Sequence, residues 1–234
     1  MHNFTKLPTL ASIIATAVFF IAAPNVLAES VYMNQGFPSG TFSVTVWNGT
    51  GVTNTATIGT EPTIAPTATF TYNGPLDFIN NTYTADTFSE WGLTFGSISN
   101  FTSSETLNTF LGSPMSTTWV NTYMLFTGTY STPSSSPVDV MLSSDDGSSL
   151  YYDNNGTWVT AITSPGPQAY KSTPGTIMGG TDVPFKLTYV ETDGAPADLQ
   201  LTVTPEPATL LLMGSGMLLI GLISLKRLHA GENL

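Results

Sequence analysis

The chain has 234 residues, only 9% of them charged, and its 16 acids against five Lys and Arg give a net charge of −11. So acidic a chain repels phosphate, which excludes nucleic acid as a natural partner. There is no Cys, and the only His residues, His2 and His229, lie close to the two ends; the middle of the chain therefore lacks Ser-His and Cys-His catalysis and the ordinary ligands of zinc.

The first residues carry one cation, Lys6, followed by an almost wholly apolar run from Leu10 to Ala23 and a break at Pro24. That order is the tripartite pattern of a secretory signal, and Val26-Leu27-Ala28 predicts a cut between Ala28 and Glu29. Residues 1–28 are then removed, and 29–204, about 175 residues, suffice for one domain with a sizeable core. Its polarity comes from Thr, Ser, Asn and Gly more than from charge, the composition of an extracellular β-protein.

Period-2 alternation recurs through this region. Phe42, Val44 and Val46 share one face of a strand over Thr41 to Trp47, and Ala68, Phe70 and Tyr72 do the same. Tyr123 to Tyr130 is partly apolar on both faces and predicts a central strand. Further strands carry Val138, Val140 and Leu142, then Phe185, Leu187 and Tyr189, then Leu199, Leu201 and Val203. Many short strands joined by Gly, Pro, Asn and Asp predict an all-β, antiparallel sandwich or barrel. One short helix interrupts it: Thr102 with Glu105 has capping-box spacing, Phe101, Leu107, Phe110 and Leu111 follow at helical spacing, and Gly112 and Pro114 stop it. Asn155-Gly156 predicts a hairpin turn, with a cation loop at Asp153 as the weaker reading. Asp-Gly at 146–147 has the same hairpin signature on its own. Trp91, Trp119 and Trp158 read as core or half-buried, with sugar stacking as the alternative.

After Thr204 the composition changes. Pro205-Glu206-Pro207 precedes Ala208 to Leu225, eighteen residues without a charge, then Lys226 and Arg227 open the tail 226–234. As a helix the apolar run would be roughly 27 Å long, close to the hydrocarbon thickness of a bilayer, and the basic pair would hold the C-terminus in the cytoplasm. The prolines force an extended segment at the membrane surface. In this order of parts the tail resembles the PEP-CTERM sorting signal of Gram-negative bacteria. The resemblance implies an exosortase-type membrane enzyme as partner, with 205–207 as its processing motif. It also implies a membrane-anchored intermediate and a final place at the cell surface or outside the cell.

The stretch Val138 to Asp153, with Ser144-Asp145-Asp146-Gly147-Ser148 and then Leu150-Tyr151-Tyr152-Asp153, resembles the protective-antigen domain family of toxins, glycosidases and flocculins. Pro184 to Glu191 and Ala197 to Val203 are similar to that family's closing hairpin. The resemblance implies a β-sandwich in which Asp145 and Asp146 meet at a cis peptide and hold Ca²⁺. The position of the family's third ligand, an Asn, is Glu191 here, with Asp193 nearby. The expected function is a non-catalytic surface or matrix protein binding exopolysaccharide or another glycan with help from Ca²⁺. A purely structural matrix protein and a carboxylate-only glycoside hydrolase are the alternatives; the hydrolase needs two acids flanking a cleft.

Overall fold

The computed structural model describes residues 39–79, 87–117, 119–132, 135–192 and 194–203. The signal segment with Ala28 and Glu29, Asp193, and the whole tail including Pro205, Glu206, Pro207, Lys226 and Arg227 lie outside the described residues.

Eleven strands are described: β1 (Ser39–Gly49), β2 (Ala68–Pro75), β3 (Asp77–Ile79), β4 (Ser97–Ser103), β5 (Asn121–Tyr130), β6 (Val138–Asp145), β7 (Ser148–Asn154), β8 (Thr157–Ser164), β9 (Lys171–Ile177), β10 (Val183–Glu191) and β11 (Asp198–Val203). They form two antiparallel sheets, one ordered β4-β2-β1-β5-β10-β7-β8 and the other β3-β11-β6-β9. The alternating apolar residues face inward between the sheets: Phe42, Val44, Phe70, Phe126, Val140, Leu142, Phe185, Leu187, Leu199 and Leu201 are all buried in one cluster. Each such side chain contributes about 1.5–3 kcal/mol by leaving water. β5 occupies the middle of the larger sheet, as its two-faced apolar pattern requires, and buries Tyr123 on one face and Met124 and Phe126 on the other.

Residues 50–67 fold back over the outer face of the larger sheet. Val52 and Ala56 pack there against Trp47, Tyr123 and Val190, and Thr188 Oγ1 donates to Ala56 O at 2.8 Å. This cover explains why Thr188 to Glu191 of β10 are buried on both faces.

The helical region differs in detail from the sequence reading. The helix spans Leu107–Leu111 (α2), and its N-cap is Thr106, whose hydroxyl accepts from Thr109 N; Phe101 and Thr102 belong to β4. Thr102 is held by pairing with Thr69 of β2, so it cannot cap. A capping box does form elsewhere: Thr87 and Glu90 cap a second short helix, α1 (Phe88–Trp91). α1 puts Trp91 into the core, stacked between Phe78 at 4.3 Å and Tyr189 at 5.2 Å between ring centres.

Candidate functional site

The Asp145–Asp146 turn is not a hairpin. β6, which ends at Asp145, pairs in the smaller sheet, whereas β7, which begins at Ser148, pairs in the larger one, so the turn carries the chain across the sandwich. The same holds for the expected closing hairpin: β10 pairs with β5 and β7, while β11 pairs with β3 and β6. The peptide between Asp145 and Asp146 is cis. Gly147 is required by space. A Cβ there would lie 2.4 Å from Pro165 O, and its own carbonyl accepts from Val190 N at 2.9 Å.

Two loops converge on this turn. From the β8–β9 loop, Tyr170 N donates to Asp145 Oδ2 at 3.1 Å and Gln168 N donates to Asp146 Oδ1 at 3.2 Å. From the segment after β10, Thr192 donates through both N and Oγ1 to Asp146 Oδ2, each at 2.7 Å. Asp146 is 3% exposed, so these charge-assisted bonds work in a dry setting and are worth about 1.5–3 kcal/mol each.

Glu191 lies just behind, 1% exposed. Its Oε1 accepts from Ser116 Oγ at 3.1 Å, and its Oε2 lies 2.8 Å from the Tyr189 hydroxyl, which also lies 2.6 Å from Asp145 O. One phenolic proton cannot serve two acceptors at once, and a proton on Glu191 resolves the conflict. Burial, with the Asp146 carboxylate next, raises the Glu191 pKa to about 8, against the lowering effect of the Tyr189 and Ser116 bonds. Burial and then the Glu191 carboxyl push the Tyr189 phenol well above its ordinary value, so it stays a donor.

Ser116 extends the network to a third loop: its hydroxyl accepts from Gly194 N at 2.9 Å while donating to Glu191. The same loop is pinned by Asn48, whose Nδ2 donates to Pro114 O and Met115 O at 3.0 Å each. It then makes a tight turn in which Thr117 N donates to Val120 O at 2.9 Å and Val120 N to Thr117 O at 3.2 Å. Trp119 sits in that turn and is 80% exposed, contrary to the core or half-buried reading. Tyr170, on the loop bound to Asp145, is 47% exposed. No pattern in the sequence distinguished Trp119 from the buried Trp91, because its exposure is set by a turn that only the loop's tertiary anchors define. Trp158 is part-exposed and packs under Lys186, whose Nζ lies 4.5 Å from the ring centre.

A Ca²⁺ ion takes six to eight oxygens and prefers carboxylates. The sequence-derived ligands Asp145, Asp146 and Glu191 do come together at one end of the sandwich. Their carboxylate oxygens, however, receive protein N–H and O–H groups, and Glu191 turns inward to Tyr189 and Ser116. Among the described residues no three acids are grouped at metal-binding spacing. The donor set as it stands does not fit the ion. Asp153, the other cation candidate, accepts from Gly156 N at 2.7 Å inside a hairpin turn.

Comparison with known proteins assigns the tail and the fold separately. The model of the PEP-CTERM protein-sorting motif matches residues 203–227. The chain is thus an exported protein sorted through a membrane-anchored intermediate. No curated protein matches its sequence. The PA14 domain of the antifreeze protein MpAFP aligns with a TM-score of 0.50 at 11% identity, over 73% of this chain and 86% of that one. The PA14 sugar-binding domain of an RTX adhesin aligns with a TM-score of 0.49 at 15% identity, over 71% of this chain and 90% of that one. The chain therefore joins a PEP-CTERM sorting motif to a β-sandwich of the PA14 type, the fold expected from the protective-antigen resemblance.

Proposed function

We propose that the sandwich is a non-catalytic glycan-binding module, presented at the cell surface or released into the matrix after the tail has been processed. The observation that carries this reading is Trp119, an aromatic side chain 80% exposed on a loop pinned by the Asn48 and Ser116 hydrogen bonds. An exposed indole on a loop anchored at its base offers sugar faces an apolar platform with a polar edge. Tyr170, on a neighbouring loop bound to the same acids, supplies a second ring with a polar tip. The acids at this end are engaged with backbone and hydroxyl donors, which argues against their use as the general acid and base of a hydrolase.

In this reading a signal peptidase cuts between Ala28 and Glu29, and 29–204 folds outside the cytoplasmic membrane. The 208–225 helix holds the intermediate with Lys226 and Arg227 inside, and an exosortase-type enzyme acts at Pro205-Glu206-Pro207. Intact-mass measurement of the protein from its natural host tests the sorting part, and a chain still carrying 208–225 would defeat it. A glycan array probed with wild type and Trp119→Ala tests the binding part. Binding lost in the variant is the expected result, and equal binding by both would overturn it.

A further inference from the structure

The Asp145–Asp146 end ties together segments that are far apart in sequence. The β8–β9 loop is bound at Gln168 and Tyr170, the segment after β10 at Thr192, and the loop before β5 through Ser116 on Glu191. In a calcium-held loop end, the ion does that tying by drawing carboxylates and carbonyls from several loops to itself. Here the work is done by donors. An N–H aimed at a carboxylate oxygen stands where a cation's positive field would, and two such donors on one oxygen, Thr192 N and Oγ1 at 2.7 Å each, use its lone pairs. The third acid position is filled by Glu191, buried against Tyr189 and Ser116 rather than aimed at the pair. The main-chain carbonyl of Asp145 accepts from the Tyr189 hydroxyl at 2.6 Å, and that of Asp146 accepts from Gln168 Nε2 at 3.3 Å, so these oxygens are occupied too.

We propose that Asp145, Asp146, Glu191 and Thr192 form a metal-independent clamp that positions the loops bearing Trp119 and Tyr170, so that ligand binding at this end needs no Ca²⁺. The clamp replaces the ion with a matched set of hydrogen bonds, and its acids are positioning residues rather than ligand contacts. The role given to the two rings rests on the glycan reading above; the metal independence of the clamp does not.

The experiment uses the full chain, titrated calorimetrically with CaCl₂ alone and melted in EDTA and in millimolar Ca²⁺, as wild type, Asp146→Asn, the Asp145→Ala, Asp146→Ala double variant and Thr192→Val. The expected result is no binding heat at this site and superimposable melting curves for the wild type. A calcium-induced rise in Tm that disappears in Asp146→Asn or in the double variant overturns the clamp. A rise that survives both in Asp146→Asn and in the Asp145→Ala, Asp146→Ala double variant places the ion elsewhere and upholds it. Should Asp146→Asn fail to fold, Thr192→Val decides: it keeps both carboxylates, so a true metal site would retain its calcium response, whereas the clamp gives a variant that melts lower and equally so with or without the ion. Faster amide exchange at Tyr170 in the Asp146 or Thr192 variant is the positioning signature, and unchanged exchange counts against it. A glycan array run in EDTA separates the two ideas. Binding in EDTA that Trp119→Ala abolishes supports both, binding that appears only with Ca²⁺ overturns the clamp, and an array silent in both conditions defeats the glycan reading while the melting curves still judge the clamp.

Discussion

Two Asx-Gly turns lie nine residues apart in this chain and do opposite things. At Asn155-Gly156 both residues have positive φ, 54° and 87°, and the turn joins β7 to β8 as a tight exposed hairpin. At Asp146-Gly147 the chain leaves one sheet for the other, Gly147 is needed because Pro165 O approaches it, and the aspartate is buried under three donors. The first turn is local: its shape follows from the backbone freedom of its own two residues. The second is global, since each of its constraints comes from a distant segment. Local turns tolerate change and global ones do not, which gives the comparison measurable content.

The largest contrast is expected between the two aspartates. Asp146→Ala strands the Gln168 and Thr192 donors in a buried setting and should cost about 3–5 kcal/mol. Asp153→Ala removes a single exposed bond to Gly156 N and should cost about 0.5–1 kcal/mol. Urea unfolding of both variants makes the measurement, and equal costs would erase the distinction. The glycines come next. Gly147→Ala drives a methyl against the Pro165 carbonyl and should cost about 2–3 kcal/mol, with Gly156→Ala nearer 1 kcal/mol from its left-handed backbone alone. For a chain of this size each kcal/mol lowers Tm by about 2–4 °C, so Asp146→Ala should melt lowest, followed by Gly147→Ala, with Gly156→Ala and Asp153→Ala nearest the wild type.

A pH-dependent effect follows from Glu191. Its folded pKa, about 8, lies above the ordinary 4.5, so between these values the folded state holds a proton that the unfolded state has lost. Stability is then greatest below about 4.5 as far as this group is concerned. It falls as pH rises, by up to about 1.4 kcal/mol per pH unit, and levels off above pH 8. The groups facing it are Tyr189, Asp146 and Asp145, with Ser116 as the uncharged donor. Glu191→Gln should flatten the slope in that window; an unaltered slope would assign the titration to another group. The smallest expected change is in the stability of Trp119→Ala, within about 0.5 kcal/mol, because an 80% exposed ring has little burial to lose. A much larger loss would mean that the ring is packed in solution.

β1, β2, β5, β6, β10 and β11 were legible because each has its own inward face: the alternation at Phe42, Val44 and Val46, or at Phe185, Leu187 and Tyr189, survives folding unchanged. β3, β4, β8 and β9 were not, the first being three residues long and the others largely exposed. The assignment of strands to sheets was not legible either. Nothing local tells β7 to pair with β10 rather than with β6, and a hairpin signature at Asp146-Gly147 pointed the wrong way. Two of the Thr-x-x-Glu spacings make the same point. Thr87 and Glu90 form the capping box, whereas Thr102 is taken up by its ladder with Thr69, a partner 33 positions away. At the site, Asp145 and Asp146 were visible through the motif they share with a known family. Thr192, Gln168 and Ser116 were invisible, since Ser and Thr occur throughout the chain, Gln168 lies in no motif, and only the fold selects these three.

The hydrogen bond from Gly156 N to Asp153 Oδ1 also bears on how the protein ages once exported. Asn-Gly pairs age chemically when the glycine nitrogen attacks the asparagine side-chain carbonyl, closing a succinimide ring and releasing ammonia. In this turn that nitrogen is held at 2.7 Å by Asp153, with its lone pair engaged in the peptide and its hydrogen in the bond. Attack on the Asn155 carbonyl requires this bond to give way, so the contact that shapes the hairpin also sits on the atom its ageing must use, and Asp153→Ala should change the rate of deamidation at Asn155 as read by peptide mapping.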